Sequence, residues 1–75
     1  MKTLLKREMF YGDEMRARRK AAGLSVRELS KRSGIDKGMI SKYESRKRFP
    51  SLQTFIVLEN CIRNAMNDKE KMNGL

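Results

Sequence analysis

Residues 23–50, GLSVRELSKRSGIDKGMISKYESRKRFP, contain the start and stop signals that decide the fold. Ser25 is followed three residues later by Glu28, a capping-box pattern that predicts a helix over residues 26–33. Gly34 comes directly after it and can adopt the left-handed backbone that a sharp turn requires. A short helix, a tight turn and a further helix together predict a helix-turn-helix.

The third and fourth helices are predicted on either side of a short loop. Asp36 is a suitable N-cap for a third helix from residue 37 to residue 44 or 45. Pro50 disfavours helical geometry in the residue before it, so residues 46–50 are predicted to be a loop. Ser51 then caps a fourth helix, whose inward positions lie at helical spacing: Leu52, Phe55, Ile56, Glu59 and Ile62.

The first helix is predicted to begin at Asp13, because two carboxylates in its first turn favour the positive end of the helix dipole. Gly23 ends it. Its inward positions are spaced by three or four residues: Tyr11, Met15, Arg19 and Ala22. Residues 1–11 are interpreted as an N-terminal arm or a short extra helix. Residues 12–62 are the helix-turn-helix domain, and residues 63–75 are a helical or frayed tail.

No segment has the pattern of a strand, so the predicted fold class is all-α, a small domain of four to five helices. Seventy-five residues correspond to one domain with a small core. The predicted core residues are apolar and spread over all the helices: Met15, Ala22, Leu24, Leu29, Ile35, Ile40, Tyr43, Leu52, Phe55, Ile56 and Ile62.

Positive charge is concentrated in the middle of the chain. The protein has 18 Lys and Arg against 9 Asp and Glu, a formal net charge of +9. Residues 16–48 hold twelve basic and three acidic residues, so this segment alone carries the whole net charge. Such a balance indicates a polyanionic partner, of which nucleic acid is the commonest. The alternative is that the charge serves only solubility.

Composition argues against several other classes. The single cysteine, Cys61, and the lack of histidine make a zinc site and histidine acid-base catalysis unlikely, so we expect no metal, no cofactor and no enzyme activity. The apolar runs are too short to span a membrane and no signal-peptide pattern is present, so a cytoplasmic location is expected. A basic membrane-surface helix is disfavoured because Gly23, Gly34 and Pro50 interrupt the chain.

Several elements of the chain occur together in one known family. They are Gly23-Leu24-Ser25, Glu28-Leu29-Ser30, Gly34, Ile40-Ser41, Glu44 and Pro50-Ser51-Leu52-Gln53-Thr54-Phe55. In this order, the chain from Gly12 to about Ile62 resembles the lambda-repressor-like, or XRE, helix-turn-helix family of prokaryotic and phage regulators. The resemblance implies a lambda-repressor-like fold that binds double-stranded DNA. It also implies a buried structural ion pair between Arg19 and Glu44.

Four positions depart from the family pattern. Val26 replaces a glutamine that often contacts phosphate, and Arg46 stands where the loop usually has glycine. Ser33 occupies a position that is commonly apolar, and Glu59 a position that is often alanine. In addition, the usual entry to a fifth helix is not recognisable after residue 62. The last two departures make the dimer surface harder to assign than the DNA-binding surface.

The third helix is the element expected to read bases. A B-DNA major groove admits one α-helix, whose N-terminal turn and outer face reach the base edges. The expected base contacts share that face: Lys37, Gly38, Ser41 and Lys42. The two lysines can donate to guanine O6 and N7, whereas Ser41 discriminates weakly. Gly38 either lets the backbone approach the DNA or is a helical glycine that is merely tolerated.

Phosphate contacts are expected at the margins of the motif, where the N–H groups that open the second and third helices suit an anionic oxygen. The residues assigned to this role lie at those starts or in the basic loop: Arg27, Asp36, Arg46, Lys47 and Arg48. For each basic residue the alternative is an ordinary solvated charge. For the three loop residues, phosphate contact is favoured.

The sequence thus predicts a sequence-specific transcriptional regulator, a dimeric repressor that reads the major groove with residues 37–45. A single helix-turn-helix reads only four or five base pairs, which is why such regulators pair as homodimers. The alternative is a protein-interaction module, an antitoxin or adaptor whose main ligand is a protein partner. That partner would bind the N-terminal arm or the tail after Arg63.

Overall fold

The computed structural model describes the backbone of residues 2–74 and the side chains of residues 11–69. Within this part the chain forms four helices and no strand: α1 Lys2–Ala21, α2 Val26–Ser33, α3 Lys37–Glu44 and α4 Leu52–Gly74. The all-α prediction is confirmed, and the helix count is four. Helix α2 packs on α3 and α4, and α1 also contacts both of these helices.

Helix α1 is longer than predicted. It begins at Lys2, so the predicted start at Asp13 is wrong, and residues 2–11 continue the first helix. Gly12 lies within this helix. At this point α1 approaches the carbonyl oxygens of Tyr43 and Glu44 so closely that a side chain at residue 12 would not fit. The carboxylate of Asp13 therefore lies in the middle of a helix and not in its first turn.

The predicted caps of α2 and α3 are confirmed. The Ser25 hydroxyl accepts from the Glu28 N–H at 3.0 Å, and the Glu28 carboxylate accepts from the Ser25 N–H at 2.9 Å. Gly34 ends α2 in the left-handed conformation with φ of 76°. Asp36 Oδ2 accepts from the N–H groups of Gly38 at 2.9 Å and Met39 at 3.3 Å. At the N-termini of α2 and α3, nearby side chains thus accept hydrogen bonds from backbone N–H groups that have no partner within the helix.

Two serines hold the turn between α2 and α3. Ser30 Oγ donates to the Ile35 carbonyl at 2.6 Å. Ser33 Oγ accepts from the Ile35 N–H at 3.1 Å and donates to the Ser30 carbonyl at 3.5 Å. Ser33 therefore stabilises the turn through hydrogen bonds.

Helix α4 starts as predicted and then continues. Ser51 Oγ accepts from the Thr54 N–H at 3.2 Å, which caps the helix. The helix runs without interruption to Gly74, so residues 63–74, predicted to be a helical or frayed tail, belong to α4. No separate fifth helix is present in the described backbone.

The core is made by all four helices and the α1–α2 connection. Its buried apolar members are Met15, Ala22, Leu24, Leu29, Ile40, Tyr43, Leu58, Ile62 and Ala65. Two predicted core residues are wrong, because Leu52 is 74% exposed and Ile56 is 47% exposed. Leu58 and Ala65 take their place. The inward face of α4 is thus rotated from the predicted one, with Leu58, Ile62 and Ala65 on it at four- and three-residue spacing.

Candidate nucleic-acid interface

Helix α3 is fixed to α1 by a buried ion pair. Arg19 Nε donates to Glu44 Oε2 at 2.7 Å, and Arg19 Nη2 donates to Glu44 Oε1 at 2.9 Å. A third bond runs from Arg19 Nη1 to the Leu24 carbonyl at 2.8 Å. Both side chains are buried, and the hydrogen bond to Glu44 raises the pKa of Arg19. The pair that the family resemblance implied is present, and it sets the position of the C-terminal end of α3.

A second polar cluster joins α1 to α4. Arg18 donates to both carboxylate oxygens of Glu59, at 3.1 and 2.8 Å, and the Tyr11 hydroxyl donates to Glu59 Oε2 at 3.2 Å. The Tyr11 ring also packs on Phe55, with centroids 5.3 Å apart. Burial, and then the Glu59 carboxylate, raise the pKa of Tyr11. Sequence reasoning placed Glu59 on the inward side of the fourth helix and noted it as a departure from the family pattern. It could not identify the partners of Glu59, because they lie 41 and 48 residues away.

The outer face of α3 carries the residues expected to contact bases. Lys37, Gly38, Ser41 and Lys42 are all exposed, whereas Ile40 and Tyr43 are buried in the core. The four residues thus share the solvent side of a helix whose other side is immobilised by packing. This arrangement leaves two ammonium groups and a hydroxyl available at the surface for hydrogen bonds to base edges.

The three basic residues of the loop after α3, Arg46, Lys47 and Arg48, are all exposed. Arg27 at the start of α2 is exposed as well. Arg46 adopts a left-handed backbone with φ of 67°, a conformation that favours glycine. Its guanidinium lies 3.8 Å from Asp13 Oδ2 on α1. In the unbound protein Arg46 therefore interacts with a carboxylate, and a phosphate would have to compete with it.

Asp36 has a different role from the phosphate contact first assigned to it. Its carboxylate occupies the N–H groups of Gly38 and Met39, so these donors are already satisfied. A negatively charged side chain at this point would also repel a phosphate oxygen. We therefore assign Asp36 to capping α3. At the start of α2, Val26 is half-buried against the core and offers no polar side chain to DNA.

The structure describes no group of His, Cys, Asp and Glu side chains within residues 11–69 that could hold a metal ion. Over the described residues, no helix is long and apolar enough to cross a membrane. Two shallow clefts lie beside α4. The larger, of about 360 Å³, is bordered by Arg32, Asp68 and Lys69, and the smaller, of about 250 Å³, by Arg18, Glu59 and Arg63.

Comparison with known families identifies the class of this protein. The Helix-turn-helix family model matches residues 15–63, which is more than half of the chain. The chain therefore belongs to the lambda-repressor-like, XRE-type helix-turn-helix family and is a DNA-binding transcription regulator of that type. No curated protein and no solved structure matches it.

Proposed function

We propose that this regulator recognises a specific DNA sequence through α3, acts as a homodimer and represses transcription. The observation that carries the proposal is the division of α3 into two faces. Its inner face is locked by the Arg19–Glu44 pair and by buried Ile40 and Tyr43. The outer face presents Lys37 and Lys42 from a fixed helix, and positional rigidity of this kind is what discrimination between bases requires.

Base reading is assigned to the exposed face of α3. Lys37 and Lys42 donate to guanine O6 and N7, and Ser41 donates or accepts at either kind of base pair. Gly38 has no side chain, so the start of α3 can approach the edges of the bases closely. The lysines would confer most of the sequence preference, because a serine hydroxyl can form hydrogen bonds with several different bases.

Phosphate contacts are assigned to Arg27, Arg46, Lys47 and Arg48, which lie at the start of α2 and in the loop after α3. These exposed cations supply affinity that is independent of sequence and that decreases steeply as salt rises. They also fix the register in which α3 enters the groove. A dimer would double this footprint over two half-sites about one helical turn apart and block access of RNA polymerase to the DNA beneath.

Selection from a random duplex library at about 0.15 M salt tests this function. We expect enrichment of an inverted repeat whose half-sites lie about ten base pairs apart. A reporter gene carrying the enriched site should then lose expression when the protein is produced. Absence of enrichment, with binding that disappears as salt rises, would contradict sequence-specific regulation and favour the alternative of a protein ligand.

A further inference from the structure

Three large hydrophobic side chains are exposed together at the beginning of α4. Phe49 is 54% exposed, Leu52 is 74% exposed and Ile56 is 47% exposed. Leu52 and Ile56 are four residues apart and so lie on the same face of α4, and Phe49 immediately precedes this helix start in the loop. Single exposed hydrophobic residues are ordinary, whereas a cluster indicates a contact surface. We call these three residues the α4 patch.

The α4 patch lies in the longest uncharged segment of the chain. Residues 49–58, FPSLQTFIVL, contain no charged side chain in a protein of which 36% of the residues are charged. The chain carries a net charge of +9, so most of its surface would repel a second copy. Both clefts beside α4 are bordered by charged side chains. An uncharged, apolar surface is where two copies of a strongly basic protein can meet without opposing like charges.

We propose that the α4 patch is a self-association surface, in which Phe49, Leu52 and Ile56 of one copy pack against the same residues of a second copy. This inference rests on the proposed function, because it names the surface through which the regulator pairs. A symmetric contact uses the same patch on both copies, and these three side chains lie within eight consecutive residues. The patch follows the basic loop directly, so the contact would bring the basic loops and α3 helices of both copies to one DNA.

The size of the patch predicts a weak dimer in free solution. Three side chains of this exposure offer on the order of 300 Å² of apolar surface, which is typical of a functional patch on a monomer. A stable interface buries about 800 Å² on each partner, so the patch can supply only the centre of such an interface. Binding to adjacent half-sites raises the effective concentration of the two copies, and the dimer therefore becomes complete on DNA.

Neutral substitutions test the patch without altering the electrostatic attraction to DNA. Leu52→Gln with Ile56→Gln keeps the net charge and alters only exposed positions, so the fold should persist, as a thermal melt by circular dichroism will show. Ala17→Gln, at an exposed position of α1, is the matched control. We expect the dimer dissociation constant from sedimentation equilibrium to rise at least about 100-fold in the double variant, and to stay unchanged in the control.

A positive test uses disulfide crosslinking. Cys61 is first replaced by alanine, and single cysteines are then introduced as Leu52→Cys, Ile56→Cys or, as the control, Ala17→Cys. Under mild oxidation, covalent dimers should form much faster from the two α4 positions than from the α1 position. This measurement needs no DNA, so it can succeed even if the proposed sequence-specific function fails.

The outcomes separate the surface from the function. Equal crosslinking at all three positions, or an unchanged dissociation constant in the double variant, would overturn the inference while leaving DNA recognition intact. A wild-type protein that stays monomeric to about 1 mM and binds a selected two-half-site duplex without cooperativity would overturn it as well. Patch-dependent dimers that select no DNA sequence would instead contradict the proposed function. Binding of a different protein to the patch, without self-association, would also overturn the inference.

Discussion

Gly12 of α1 lies directly against the main-chain carbonyl oxygen of Tyr43 in α3. A Cβ atom added to Gly12 would also lie only 2.8 Å from the Glu44 carbonyl oxygen, and both obstacles are backbone atoms that cannot rotate away. This contact lets the axis of α1 approach the end of α3 more closely than any residue with a side chain would allow. The position of α3 relative to α1 thus depends on the absence of a side chain at residue 12.

Gly12→Ala is expected to destabilise the protein, although alanine is the better helix former. Crowding against backbone costs about 1–3 kcal/mol, and the gain in helix propensity returns about 1 kcal/mol. The net loss of unfolding free energy should be up to about 2 kcal/mol, measured by urea denaturation. Ala17→Gly, at an exposed position of the same helix, measures the propensity contribution alone. A Gly12→Ala variant more stable than the wild type would show that α1 and α3 separate at little cost.

The Arg19–Glu44 pair is expected to be costly to break on one side. Arg19→Met leaves the buried Glu44 carboxylate with only the half-exposed Arg16 guanidinium, 3.5 Å away, and should lower the free energy of unfolding by about 3 kcal/mol. A double variant, Arg19→Met with Glu44→Met, should lose less than the two single variants together, because no charge is stranded. Urea denaturation of the three variants gives the coupling energy. Strict additivity of the two losses would mean that the hydrogen bonds between these side chains contribute nothing to the free energy of unfolding.

Lys42 and Arg48 are expected to affect DNA binding differently. Lys42→Ala should change the base preference at one position of the site, at a cost of about 1–3 kcal/mol on the preferred sequence. Arg48→Ala should weaken binding to all sequences alike and reduce the slope of the salt dependence by about one. Titrations of the selected site and its single-base variants at several salt concentrations distinguish the two. Equal losses for both variants on every sequence would refute this division of roles.

Arg46→Gly is expected to increase the free energy of unfolding and to weaken DNA binding. Glycine relieves the left-handed backbone at this position, and a gain of roughly 0.5–1 kcal/mol in unfolding free energy is expected after the greater freedom of the unfolded chain is included. Removal of the guanidinium should at the same time weaken DNA binding. Arg46→Asn, which tolerates the same backbone, is the matched control. A less stable Arg46→Gly variant would show that the side-chain contacts of Arg46, including the one with Asp13, outweigh the strain.

The capping box at α2 predicts a dependence of stability on pH. Hydrogen bonds from the Ser25 backbone and side chain hold the pKa of Glu28 below its ordinary value of 4.5. A depressed pKa in the folded state contributes stability that is present above about 4.5 and is lost as pH falls through the folded-state pKa. Glu28→Gln should therefore be less stable than wild type at pH 7, and the difference should shrink as pH falls below about 4.5. In a Ser25→Ala background the difference should be smaller but should persist, because the Ser25 N–H, the larger cause of the lowered Glu28 pKa, still donates to the carboxylate.

The ends of α2 and α3 could be predicted from sequence because they depend on residues close together in the chain. The Ser25–Glu28 cap, the left-handed Gly34 and the Asp36 cap each act within three residues or so. The start of α1 could not be predicted in this way. Gly12 and Asp13 are residue types that often occur at a helix start. Residue 12 instead packs against the backbone of α3, about thirty residues away in the chain, where only a glycine fits.

The sequence by itself determined the helix-turn-helix, its family and the residues on the outer face of α3, since caps, glycines and helical periodicity are local properties. Only the tertiary structure decided how α4 is rotated. Residues 55–58 are four consecutive apolar residues, and such a run satisfies several helical faces equally. Packing against α1 and α2 buries Leu58 and leaves Leu52 and Ile56 in solvent, while Glu59 meets Arg18 from a distant helix. Burial is decided by which surfaces meet, and that information is distributed over the whole chain.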